Sequence, residues 1–181
     1  MNENTLLSYV LRWGMIIAGI NILLMLIIYV VDATQLASIS VGLFTFVLNI
    51  ALIVYAGVGY RKLLGGYADY KTMLITVFLI QAISGGAASM FQVLMYTVID
   101  PELPELLTEA SLETTENMLE FFNLPPDDID DALEQTEEDL EGTFSARQII
   151  VSYFWPGLLF LFIIALIIAA IIKKNKPIFE D

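Results

Sequence analysis

The sequence contains no cysteine and no histidine. No disulfide can form within it, so cysteine usage is silent on the redox compartment. The usual zinc and iron–sulfur ligand sets are missing as well. A metal site would have to be assembled from oxygen ligands, which restricts it to calcium or magnesium. Charge is scarce too: 16% of the 181 residues are charged, where ~25% is ordinary for a soluble domain. The shortage falls in four stretches, residues 13–31, about 39–60, about 72–99 and 149–172, none of which holds Asp, Glu, Lys or Arg.

At ~1.5 Å of rise per residue each stretch is long enough to cross ~30 Å of hydrocarbon. The expected fold is therefore an all-α integral membrane protein with four transmembrane helices. Its expected parts are residues 1–99 with spans one to three, an acidic helical hairpin at 100–147, and residues 148–181 with span four and a basic tail. The first stretch follows Arg12, as a signal peptide would follow its basic start. It exceeds the ~7–15 residues of a signal-peptide core, however, and no small-x-small site follows at Asp32-Ala33-Thr34, so a retained span is expected.

The absence of ionisable groups from the spans also bears on function. Pumps, proton-coupled carriers and voltage sensors mark their paths with such groups inside the membrane. Hydrolysis within the bilayer needs paired aspartates, a Ser–His pair or a metal, and the spans lack all three. An enzyme is not expected, nor any cofactor.

Orientation follows from Lys and Arg. Arg12, Arg61, Lys62, Lys71, Lys173, Lys174 and Lys176 fall on one side of the expected bundle, leaving Arg147 on the other. The positive-inside rule places the seven, and with them both termini, in the cytoplasm. Anionic lipids at that face are expected partners. Tyr9, Trp13, Tyr60, Tyr67 and Tyr70 read as interfacial aromatics inside, and Tyr29, Tyr96, Tyr153 and Trp155 outside. Gly65-Gly66 marks the turn between spans two and three.

The spans carry polar stripes. At ~100° per residue, Gly42, Thr45, Asn49 and Ala56 share one face of span two. Gln81, Gly85, Ala88, Ser89, Gln92 and Tyr96 share one in span three, and Gly14, Ala18 and Asn21 group in span one. Small residues let helix backbones approach and buried amides bond across helices, so these faces read first as the bundle seam. Within the seam of Asn21, Asn49, Gln81, Ser89 and Gln92, the alternative is a polar path or small-ligand pocket lined by Asn21, Asn49, Gln81 and Gln92, which serves a permeation or carrier subunit. In span four, Pro156 either kinks a helix that began near Ser145 or marks a fresh start. The capping-box spacing of Ser145 and Gln148 favours the kink.

Residues 100–147 hold sixteen acidic residues and one basic one, a net charge of −15, so the formal −13 of the chain belongs to this segment. Leu103, Leu106, Leu107, Ala110, Met118 and Phe121 recur on one helical face, apart from a stripe of glutamates. Leu124-Pro125-Pro126 breaks the run. Ile129, Leu133 and Leu140 then repeat opposite Asp130, Glu134, Glu138 and Glu141, and Gly142 closes the second helix. Two amphipathic helices packed by their apolar faces are expected outside the cytoplasm. The carboxylates read first as a solvated face. An EF-hand is excluded, because counting from Asp127 the sixth position is Ala132 where glycine is needed. Multivalent contact with divalent cations through Glu105, Glu109, Glu113, Asp130, Glu134 and Glu138 stays open, as does a basic protein partner. Nucleic acid would be repelled.

Several landmarks together resemble a bacterial membrane-protein family of unknown function, the one numbered 4199. They are Tyr60-Arg61 closing span two, Gly65-Gly66 with Tyr70 ahead of span three, and Ile99-Asp100-Pro101 leaving span three. The acidic insertion and the basic run Lys173-Lys174-Asn175-Lys176-Pro177 complete the likeness. It implies a four-span inner-membrane protein and carries no activity or catalytic residues. The functional expectation is a non-enzymatic interaction or assembly protein presenting the acidic hairpin, with an oligomeric permeation subunit as the alternative; a homo-oligomer is compatible with both.

Overall fold

The computed structural model describes residues 3–140 and 142–176, with side chains from Thr5 onward. Glu141 and Pro177 therefore lie outside the described residues. Among these residues the chain is helical, and its one β-type pairing is an antiparallel bridge between Ala68 and Lys174. The helices are α1 (Glu3–Asp32), α2 (Ile39–Leu63), α3 (Tyr70–Leu94), α4 (Leu103–Phe121), α5 (Pro126–Leu140), α6 (Ala146–Ser152) and α7 (Leu158–Ile172). A 3₁₀ turn covers Ala33–Ala37, and wide π turns cover Met95–Ile99 and Tyr153–Gly157.

Four helical runs are long and apolar enough to cross a membrane: Thr5–Ala37, Ile39–Leu63, Tyr70–Ile99 and Ala146–Ile172. The protein is a multi-pass membrane protein. Each run starts earlier than its uncharged stretch or ends later, because helices continue through residues that interrupt hydropathy alone. Arg12 stands inside α1, and Leu6, Val10 and Ile17 on either side of it pack at helical spacing.

The chain divides into two compact units. The first comprises residues up to 21, 46–88 and from 152 onward. Its core repeats at three- and four-residue steps: Ile53, Ala56, Gly57 and Tyr60 on α2; Met73, Thr76, Val77, Ile80, Gln81 and Ser84 on α3; Ala165, Ile168, Ala169 and Ile172 on α7. These are the one-sided stripes of helices that bury a seam and leave the rest for lipid. Small residues permit close approach. A Cβ built on Gly14 would stand 2.6 Å from Ile83 Cγ2, and one on Gly57 would stand 2.5 Å from Ile172 Cδ1.

The second unit comprises residues 22–45 and 89–151. Its core joins Met95, Tyr96, Leu103, Leu107 and Ile149, with Tyr29, Leu36 and Phe144 against them. Asp100 organises the entry to α4. Its carboxylate accepts from Tyr29 Oη at 2.9 Å and from the N–H groups of Glu102 and Leu103, each at 3.2 Å. It thus satisfies donors that the start of a helix leaves unpaired. Prolines stand in the first turns of α4 and α5, where no N–H is missed. Asn123, at φ +54°, and Gly142, at φ +72°, follow the two helices in the left-handed conformation.

Candidate functional site

The five polar residues expected along the seam have different fates. Asn21 and Asn49 form a reciprocal pair: Asn21 Nδ2 donates to Asn49 Oδ1 at 2.8 Å, and Asn49 Nδ2 donates to Asn21 Oδ1 at 2.9 Å. This is the cross-helix amide bond that the seam reading requires. Gln81 is only 2% exposed, yet neither its Nε2 nor its Oε1 has a hydrogen-bond partner. Gln92 bonds within its own helical run, donating to Tyr96 Oη one turn ahead at 3.0 Å. Ser89 is half-buried on α3. Among the described residues the amides thus make one joint and one unpaired buried group.

Several aromatics assigned to the interfaces are structural. Tyr60 is 1% exposed, and Tyr9 stacks against it with ring centres 4.9 Å apart while donating to Ala56 O at 2.8 Å. Tyr153 donates to Ala82 O, and its ring lies over Gly85 and Gly86, where added Cβ atoms would come within 3.1 and 3.2 Å of it. The glycines of span three are therefore a seat for a tyrosine. Span four starts next to Ser145, as expected, and runs on through Pro156 without a fresh start there. Ser145 Oγ accepts from Gln148 N–H at 3.2 Å, α6 starts at Ala146, and the helix widens into the π turn that contains Pro156.

The acidic segment folds as two helices, α4 and α5, that lie against each other, while α4 also packs on the 3₁₀ turn. Its apolar face is used only in part. Leu103, Leu107 and Ala110 are buried, whereas Met118 is 42% and Phe121 is 79% exposed, and α5 buries no residue fully. The expected apolar packing is thus concentrated at the start of α4. Five carboxylates lie on α4 and eight on α5, with no basic residue on either. Among the described residues none of the thirteen forms an ion pair or accepts a side-chain hydrogen bond. Glu105, Glu109, Glu113, Asp130, Glu134 and Glu138 are all exposed. Glu105 edges a cavity of about 440 Å³ with Tyr96 and Phe144; Glu134 and Glu138 edge one of about 510 Å³ with Glu137 and Thr108. Among the described residues no three acidic groups converge closely enough to hold a metal ion.

Residues 12–174 match the model of a family described as a protein of unknown function, DUF4199. The chain belongs to the DUF4199 family. No curated protein and no solved structure matches it. The DUF4199 match takes in the first membrane-compatible run from residue 12 onward, the other three in full, and the acidic helices between the last two.

For this DUF4199 chain, the sequence places Asn21 and Asn49 on polar faces without pairing them, and the carboxylates on the two acidic helices. Sequence reasoning missed Asp100 as the residue that joins Tyr29 to the start of α4. The signal was present in Asp100-Pro101 followed by Leu103-Pro104, an N-cap spacing read only as the exit of span three.

Proposed function

We propose that this chain is a non-enzymatic interaction protein of a bacterial cytoplasmic membrane that offers the α4–α5 hairpin to a basic protein partner outside the cytoplasm. The observation that carries this reading is the set of thirteen carboxylates on α4 and α5 without one intramolecular cation among the described residues. Like charges four residues apart on a helix cost about 0.2–0.5 kcal/mol per pair, so this surface is held against its own repulsion. A cationic partner relieves that repulsion and gains association rate from the field. The seven-to-one division of Lys and Arg supports the N-in, C-in orientation. The reciprocal pairing of Asn21 with Asn49 favours a structural role for the amides over a permeation path.

Two measurements test the proposal. A cysteine at Thr136 should react with an impermeant thiol reagent in intact spheroplasts, and one at Lys62 should react only after lysis; reversed labelling rejects the orientation. A photo-crosslinking residue at Glu134 should give a discrete adduct with a basic protein in cells. Changing Glu134, Glu137 and Glu138 to glutamine elsewhere on the same hairpin face, with the crosslinker moved to Asp130, should abolish it. An adduct that survives neutralisation, or no adduct at all, rejects the partner.

A further inference from the structure

The residues after α7 return to the loop between α2 and α3. Arg61 Nη1 donates to Ile172 O at 2.6 Å, capping the last turn of α7. At Lys173 the chain becomes extended, and Lys174 pairs with the loop: Ala68 N–H donates to Lys174 O at 2.8 Å, and Lys174 N–H to Ala68 O at 3.0 Å. Two aromatic rings position the lysines, with Lys174 Nζ 5.1 Å from the centre of Tyr67 and Lys173 Nζ 5.6 Å from that of Tyr70. Both distances are within the ~6 Å reach of a cation–π contact. Beside the bridge lies an open cavity of about 610 Å³ whose walls include Gly65, Tyr67, Ala68, Asn175 and Lys176.

The charge balance here is one-sided. Among the described residues none of Arg61, Lys62, Lys71, Lys173, Lys174 and Lys176 is in an ion pair. The acid on the cavity wall, Asp69, accepts from Thr72 N–H at 2.7 Å at the start of α3, and its bonds to Thr72 hold its carboxyl below the usual range, so it stays ionised as one negative charge against these six cations. The ring-held ammonium groups keep their N–H donors for an outside acceptor. Apolar surface adjoins the cations, since Leu63 is 67% and Ile171 is 73% exposed at the ends of α2 and α7.

We propose that this cavity binds the phosphate headgroup of an anionic phospholipid, met by Lys176 from the cavity wall and by Lys174 from beside it, over the ring of Tyr67, with the acyl chains along the exposed ends of α2 and α7. A membrane lipid is favoured over free phosphate because cations, tyrosines and bare aliphatic side chains stand together where the spans end. The bound headgroup bridges the loop and the residues after α7, so it stabilises the Ala68–Lys174 pairing. The inference does not depend on the role of the hairpin.

The test uses the full-length protein in mild detergent, titrated with phosphatidylglycerol or phosphatidylcholine and read by native mass spectrometry. The double variant Lys174→Gln/Lys176→Gln should lose phosphatidylglycerol affinity by an order of magnitude or more, at about fivefold per lysine. Lys62→Gln/Lys71→Gln removes the same charge away from the cavity wall and should lose much less. Tyr67→Leu, which keeps every charge, should also weaken binding, and Lys174→Arg should restore most of it. Equal losses from the two double variants mean general surface charge and overturn the proposal. So does equal retention of phosphatidylcholine, or competition by millimolar inorganic phosphate that the cavity variants abolish. Thermal unfolding of each variant in parallel identifies misfolding, and Tyr67→Leu with Lys174→Arg decides the matter if the double variant is unstable.

Discussion

Replacing Gln81 by methionine should stabilise the protein, whereas replacing Asn49 by leucine should destabilise it. Both side chains are uncharged amides in membrane-crossing helices, and they differ in what they touch. Gln81 is 2% exposed with both amide atoms unpaired, and a buried polar group without a partner costs about 1–3 kcal/mol. Methionine has similar length and no polar head, so the gain from Gln81→Met should approach that figure. Asn49→Leu removes two amide bonds of 2.8 and 2.9 Å and leaves the Asn21 carboxamide orphaned. Its expected loss is also about 1–3 kcal/mol, so the two variants should be separated by about 2–6 kcal/mol. The double variant Asn21→Leu/Asn49→Leu should recover part of the loss, because it leaves no orphaned carboxamide between the two helices. Unfolding in mild detergent can be followed through the fluorescence of Trp13 and Trp155. A destabilised Gln81→Met protein would refute the reasoning, since it would mean that the folded state bonds this amide.

A matched pair of glycines on α1 tests the packing. Gly14→Ala should destabilise by about 1–3 kcal/mol, because its Cβ would meet Ile83 Cβ at 2.7 Å, while Gly19→Ala enters open space and should be neutral or gain about 0.5–1 kcal/mol in the same assay. Asp100→Ala should cost about 1–2 kcal/mol of local order, read as faster amide exchange over residues 102–110 with α7 unchanged; equal protection would show that the cap contributes nothing.

The spans were legible because an uncharged apolar stretch has few other stable homes, and the acidic helices because leucine spacing and glutamate spacing agree. The break at Leu124-Pro125-Pro126 and the Ser145 start of the last run were legible from local backbone chemistry, which needs no knowledge of neighbours. The amides were not fully legible. A 100° step places Asn49 and Gln81 on polar faces alike, but whether an amide meets another depends on its height against a second helix, which periodicity along one helix does not encode. Tyr153 was legible only in part, for the opposite reason. Its position near the end of an apolar stretch fits an interfacial anchor, while its packing partner, the pair Gly85-Gly86, lies far away in sequence.

The contacts of the first unit also imply an order of assembly. Asn21 and Asn49 are 28 residues apart and Tyr9 and Ala56 are 47 apart, so the first two helices can lock soon after the second is made. Arg61 must wait for Ile172, 111 residues later, and Gly57 for the same isoleucine to fill the space beside it. A ribosome emits the chain from its first residue onward. Through the synthesis of the third helix, the whole acidic segment and most of the last helix, the nascent bundle therefore carries an uncapped guanidinium and an open apolar groove. That interval, more than the finished fold, is when a membrane chaperone or protease has something to grip.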